Sequence, residues 1–68
     1  METSARNQIQ GTVSSVSLGA VMAEVTVDIG GASLVAVITK ESAERLGLAE
    51  GKSVTAIIKS TDVMIGTN

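Results

Sequence analysis

One stretch of the chain decides the fold, because apolar and polar residues alternate along it: Ala20-Val21-Met22-Ala23-Glu24-Val25-Thr26-Val27-Asp28-Ile29. Successive side chains of a β-strand point to opposite faces of a sheet, so this alternation predicts a strand with one face buried. The face predicted to be buried carries Val21, Ala23, Val25, Val27 and Ile29. The opposite face carries Met22, Glu24, Thr26 and Asp28. We therefore predict a β-strand from Ala20 to Ile29.

The segment before this stretch predicts a strand that contains a bulge. Its first apolar residues, from Ile9 to Val13, share one parity, whereas Val16 and Leu18 take the other. One extra residue near Ser14-Ser15 would return both groups to the same face, which is what a β-bulge does. We expect Gly19 to turn the chain into the second strand.

The segment after the alternating stretch predicts a hairpin and a third strand. Gly30-Gly31 suits a two-residue hairpin turn, and the strand that follows runs from Ser33 to Ile38. Leu34, Ala36 and Ile38 would lie on one face of this strand, with Val35 and Val37 on the other. A strand that is apolar on both faces must be packed against other residues on both, so we expect one face to contact the core of its own subunit and the other to contact another subunit.

From Thr39 onward the period changes to that of a helix. Lys40 to Leu46 predicts a short helix with Ala43 and Leu46 facing inward. Thr39 is a suitable N-cap, and Gly47 followed by Leu48 is typical of a Schellman C-terminus.

The end of the chain predicts two more strands. Glu50-Gly51 indicates a turn, Ser53 to Lys59 a fourth strand, and Val63 to Ile65 a short fifth strand. The order β-β-β-α-β-β predicts an all-β fold, a small five-stranded OB-like barrel with one short helix between strands 3 and 4.

Length and composition predict one domain, residues 1–68, that assembles as an oligomer. A chain of 68 residues buries little of its surface, and such small cores usually need disulfides, a metal or self-association. The sequence contains no Cys and no His, which removes disulfides and the usual zinc sites. Self-association is the remaining remedy, so we expect a multimer.

The composition also disfavours several classes of function. There are no aromatic residues to stack on bases, and the formal net charge is −2, so nucleic acid is a poor candidate partner. No run of the sequence is long and apolar enough to span a bilayer, and the first residues do not resemble a secretion signal, so we expect a cytoplasmic protein. Without His or Cys no catalytic constellation is found, and we expect no enzyme.

Three groups of hydrogen-bond donors stand where a strand or helix is predicted to begin or end. Thr39 and Ser42 occupy the N-cap and N3 positions of the predicted helix. Lys59 and Ser60 follow the fourth strand, and Ser4 and Arg6 precede the first. Taken separately, each group has a purely structural explanation as a helix cap or a solvated charge. Together they offer two positive charges and several hydroxyls, which suits a dianion held by charge-assisted hydrogen bonds.

Three segments resemble the molbindins, small Mop-type proteins of the TOBE class. These are Thr3-Ser4-Ala5-Arg6-Asn7-Gln8-Ile9-Gln10-Gly11, Ile38-Thr39-Lys40-Glu41-Ser42-Ala43-Glu44-Arg45-Leu46-Gly47-Leu48 and Lys59-Ser60-Thr61-Asp62-Val63-Met64-Ile65. The resemblance implies an OB-like barrel, a hexamer arranged as a trimer of dimers, and molybdate or tungstate bound at subunit interfaces, with no organic cofactor and no directly coordinated metal cation. Carried over residue by residue, it assigns oxyanion contacts to Ser4, Arg6, Thr39, Ser42, Lys59 and Ser60. It also implies further oxyanion sites near threefold axes, for which the Gly19-Ala20 amides are candidates.

Three functions remain open at this point. The first is an oxyanion buffer for storage and homeostasis of molybdate or tungstate. The second is a non-catalytic oligomerisation or regulatory module whose donors only cap structure, and the third is an OB-like nucleic-acid binder. The sequence separates neither molybdate from tungstate nor storage from delivery.

Overall fold

The computed structural model describes residues 1–68 and is built mainly from β-strands. The elements in chain order are β1 (Asn7–Leu18), β2 (Met22–Asp28), β3 (Ser33–Thr39), α1 (Lys40–Arg45), β4 (Ser53–Ile58) and a 3₁₀ helix (Ser60–Asp62). The all-β class and the short helix between the third and fourth strands are confirmed. No helix has the length and apolar character that crossing a membrane requires.

All four strands form one antiparallel sheet in the order β3-β2-β1-β4. The long strand β1 pairs with β4 through its first half and with β2 through its second half, and it changes partner at Thr12. The register shifts between Val13 and Ser15, so the predicted bulge is confirmed, with Ser14 as the extra residue. Bulges bend and twist a strand, which helps this sheet to curl.

The β2–β3 connection is the predicted two-residue turn. Ile29 N donates to Ala32 O at 3.0 Å across Gly30 and Gly31. Both glycines have positive φ, 86° and 87°, as the favoured hairpin turns require. Side chains are rarely tolerated at these backbone angles, which explains the Gly-Gly pair.

The ends of α1 follow the sequence prediction. Thr39 Oγ1 accepts a hydrogen bond from Ser42 N at 3.1 Å, which confirms the N-cap. At the other end Leu48 N donates to Ala43 O and Gly47 N to Glu44 O, each at 3.0 Å, the pair of bonds that defines a Schellman motif.

Side-chain burial on α1 follows the prediction only in part. Ala43 is buried as expected, whereas Leu46 lines the apolar groove between β3 and β4 but is 50% exposed, so it faces inward without being buried. It stands at the C-cap, where the backbone is already leaving the helix.

The fifth strand predicted at Val63 to Ile65 is not formed, and the five-stranded barrel is therefore wrong in strand number. The 3₁₀ helix ends at Asp62, and the following residues have no regular structure. Met64 and Ile65 are 92% and 87% exposed. A strand needs a neighbour to satisfy its backbone N–H and C=O groups, and these residues pair with none. The sheet consequently has four strands and keeps β3 and β4 as open edges.

The core is small and lies inside the curl of the sheet. Val13, Val25 and Val27 form its centre, with Leu34, Ile38, Leu48 and Val54 among the residues packed against them. Five of the 68 residues are buried, which agrees with the marginal core expected for this length.

Two apolar surfaces remain uncovered. The edge groove is a cavity of about 290 Å³ lined on one side by β3 residues, including Leu34 and Ala36, and on the other by β4 residues, including Ala56 and Ile58. The outer face of β3 presents Val35 and Val37, each 62% exposed. The expectation that β3 is apolar on both faces is thus confirmed.

Candidate functional site

The pairing of β1 with β4 brings two of the donor groups together. Asn7 at the start of β1 is the partner of Ile58 at the end of β4. In an antiparallel pair the next residues outward are then Arg6 and Lys59. The Asn7 amide Nδ2 donates to Ile58 O at 3.2 Å and ties the two ends to each other. The two cations are therefore neighbours because of strand register.

These ends form an open cavity of about 430 Å³, the β1–β4 cavity. It is lined by Thr3, Ser4, Ala5, Arg6, Ile57, Lys59, Ser60 and Thr61. Four of the six predicted oxyanion contacts, Ser4, Arg6, Lys59 and Ser60, thus share one cavity. The lining contains two of the five basic residues of the chain and no carboxylate. The local charge is positive although the protein has a net charge of −2.

The donors of this cavity suit a small anion. Arg6 can present a planar fork of N–H groups, and Lys59 supplies a compact charge. Ser4 and Ser60 add hydroxyls, and all four side chains are exposed and can reach a ligand from solvent. The chain bends at Ser4 and at Arg6, and both residues line the cavity.

Sequence reasoning did not single out Thr3 and Thr61, which also line the β1–β4 cavity. The available signal was their position, because each adjoins a predicted contact, Ser4 or Ser60, and each carries a hydroxyl.

The other two predicted residues, Thr39 and Ser42, form a separate group at α1. The Thr39 hydroxyl accepts from Ser42 N and donates to Ser42 Oγ at 2.8 Å. This leaves the Ser42 hydroxyl proton free for another acceptor. Thr39 lines a second cavity of about 370 Å³ together with Lys40, Glu41 and Glu44. Two carboxylates against one cation make that cavity unfavourable for an anion by itself.

The two groups lie at opposite ends of β1. Thr39 pairs with Met22, next to the Ala23–Leu18 pair that ends β1, whereas Arg6 and Lys59 adjoin the start of β1 at Asn7. Thr39 also lines a different cavity from Arg6 and Lys59. One chain therefore does not bring all six residues to one ligand.

The Gly19-Ala20 turn offers less than expected for a further oxyanion site. Gly19 N donates to Met22 O at 2.8 Å, so this amide is already used to close the β1–β2 hairpin. Ala20 lines the second cavity beside Thr39.

The fold and the β1–β4 cavity define a small all-β domain with a surface site suited to an anion. The TOBE domain family matches residues 3–65. Molybdenum-pterin-binding protein 3 of Clostridium pasteurianum is 52% identical over 66 residues, covering 96% of this chain and 97% of that protein.

Solved structures agree with this match. A molybdate-binding protein from Sporomusa ovata has a TM-score of 0.93 and 39% identity, covering 98% of this chain and 100% of that one. The cytoplasmic molybdate-binding protein ModG, with molybdate bound, has a TM-score of 0.93 and 40% identity, covering 100% of this chain and 49% of that one. The chain belongs to the TOBE domain family and, within it, to the molbindins, the Mop-type proteins.

Proposed function

We propose that this protein binds molybdate or tungstate at sites completed between copies of the chain, and serves as a non-catalytic cytoplasmic store of these oxyanions. One observation carries the proposal. The β1–β4 cavity gathers two cations and several hydroxyls without a carboxylate. Relatives described as molybdate-binding proteins, among them the cytoplasmic ModG, support the choice of anion and of compartment.

The roles of the residues follow from their chemistry. Arg6 holds two oxyanion oxygens through its fork, Lys59 contributes charge, and Ser4 and Ser60 donate hydroxyl hydrogen bonds. Hydrogen bonds to charged groups contribute about 1.5–3 kcal/mol each. A handful of them, less the cost of ordering side chains and ligand, gives micromolar or tighter binding, roughly −8 kcal/mol or better.

A second copy supplies the remaining donors in this proposal. Thr39 and Ser42 lie near the opposite end of β1 from Arg6, and Thr39 lines a separate cavity, so in this proposal they contact the anion held by another chain. The edge groove and the exposed Val35 and Val37 favour self-association, because small monomers rarely leave large apolar patches in water. We propose a hexamer, a trimer of dimers, as the assembly.

Selectivity against sulfate would come from size. Both ions are tetrahedral dianions, but a cage fitted to the longer metal–oxygen bonds leaves some donors unpaired when sulfate enters. Molybdate and tungstate nearly coincide in size and charge, and the site accepts both.

An organic ligand is the first alternative to a bare oxyanion. Several relatives are named as molybdenum-pterin-binding proteins. The chain has no aromatic side chain on which a pterin ring could stack, which favours the bare oxyanion.

Calorimetric titration of the protein with molybdate in excess sulfate tests the proposal. We expect saturable heat at about one or more anions per chain, and the same result with tungstate. Absence of heat from an intact oligomer would leave the donors as caps and surface charges, as in a purely regulatory or oligomerisation module. Equal affinity for sulfate would refute the proposed cage.

A further inference from the structure

The backbone N–H and C=O of Ala5 are both held by side chains outside the predicted contact set. Ala5 N donates to Thr3 Oγ1 at 3.2 Å, and the Gln8 amide Nε2 donates to Ala5 O at 3.0 Å. Ala5 itself is half-buried, while its neighbours Ser4 and Arg6 are exposed. The residue between the two oxyanion donors is therefore the fixed point of the segment.

This arrangement matters because the segment lies outside the sheet. β1 begins at Asn7, so Ser4 and Arg6 precede the first strand, and no hydrogen bonds of the β-sheet fix their backbone. Short segments of this kind are usually poorly ordered. A Thr hydroxyl that accepts a hydrogen bond from the backbone N–H two residues later stabilises a local turn. A side-chain amide from the adjoining strand, here that of Gln8, can then fix the backbone carbonyl of the same residue.

We propose that Thr3 and Gln8 are positioning residues for the oxyanion: together they form the Ala5 clamp, which holds Ser4 and Arg6 towards the β1–β4 cavity before the ligand arrives. The inference rests on the proposed function. Ordering a flexible side chain during binding lowers affinity, and ordering it in advance removes that penalty. The strand register supports the geometry, since Gln8 pairs with Ile57, a lining residue of the same cavity.

Near-isosteric variants test the clamp. Thr3→Val removes the acceptor and Gln8→Met removes the donor, while each roughly keeps the side-chain size. We expect each to raise the molybdate Kd roughly three- to tenfold, the loss of one net hydrogen bond. Thr3→Ser keeps the hydroxyl and should stay within about twofold of the wild type.

Gln10→Met is the matched control. Gln10 lies two residues along β1 on the same exposed face, pairs with Thr55, and makes none of the side-chain hydrogen bonds in the structure. Its replacement should leave the Kd unchanged. The Tm of the ligand-free protein should be the same for all these variants, because the clamp lies outside the core.

Two further outcomes separate this inference from the proposed function. If the wild type binds molybdate and Thr3→Val and Gln8→Met bind equally well, the clamp is refuted and the proposed function stands. If the wild type itself shows no saturable binding, both fall. A lowered Tm that accounts for the weaker binding would make Thr3 and Gln8 structural residues and would also refute the positioning role.

Discussion

Replacing Arg6 by Ala is the most informative single change at the β1–β4 cavity. Arg6 is one of two cations lining it, and no carboxylate competes for its guanidinium there. A charge-assisted hydrogen bond contributes about 1.5–3 kcal/mol, and the fork can make two. Because the Arg6 side chain is exposed, water can hydrogen-bond to the anion in its place in the variant, which offsets part of this loss. We therefore take about 1.4 kcal/mol as the minimum loss, a tenfold increase in Kd.

Calorimetric titration with molybdate at fixed ionic strength measures this loss. Arg45→Ala is the matched control, since it removes the same side chain and charge from the last turn of α1, outside the lining of both cavities. Arg6→Lys should fall between the wild type and Arg6→Ala, because it keeps the charge and loses the fork. An unchanged Kd for Arg6→Ala would place Arg6 outside the site and refute the reasoning from the cavity.

Three other changes test the second donor group, the sheet and the interface. Ser42→Ala should weaken molybdate binding roughly threefold or more. The Tm should stay close to that of the wild type, because the helix cap uses the backbone N of Ser42 and not its hydroxyl. A lower Tm at unchanged Kd would make Ser42 a structural residue. Gly11→Ala should lower the free energy of unfolding by about 1–3 kcal/mol, measured by thermal unfolding at fixed protein concentration. The reason is that the added Cβ would lie 2.6 Å from Asp28 O. An unchanged Tm would mean that β1 and β2 can move apart at this position without cost. Val35→Asp should break the proposed oligomer, as measured by sedimentation velocity, because it buries a charge at the proposed subunit contact. An oligomer of wild-type size would exclude β3 from the interface.

Local rules explain which parts of the fold are readable from the sequence. The bulge at Ser14, the Gly30-Gly31 turn and both ends of α1 are confirmed, because each depends on backbone angles or hydrogen bonds within a few residues. The strand at Val63 to Ile65 is wrong, because a strand also needs a partner, and three apolar residues do not specify one.

The site was predictable to a different extent. Its donor types could be read from the chain, but the meeting of Arg6 with Lys59 depends on the register of β1 against β4, which no local pattern specifies. The resemblance to the molbindins supplied that grouping. Thr3 and Gln8 were missed because they bind backbone groups of Ala5, and such contacts leave no motif of their own.

The most direct test of the central claim is anomalous diffraction at the molybdenum edge from crystals grown with molybdate. We expect a peak at the centre of a tetrahedral oxyanion whose oxygens lie within hydrogen-bond distance of Arg6 and Lys59 of one chain and of Thr39 or Ser42 of another. A peak held by one chain alone would contradict the shared site, and a peak away from the β1–β4 cavity would contradict the proposed function.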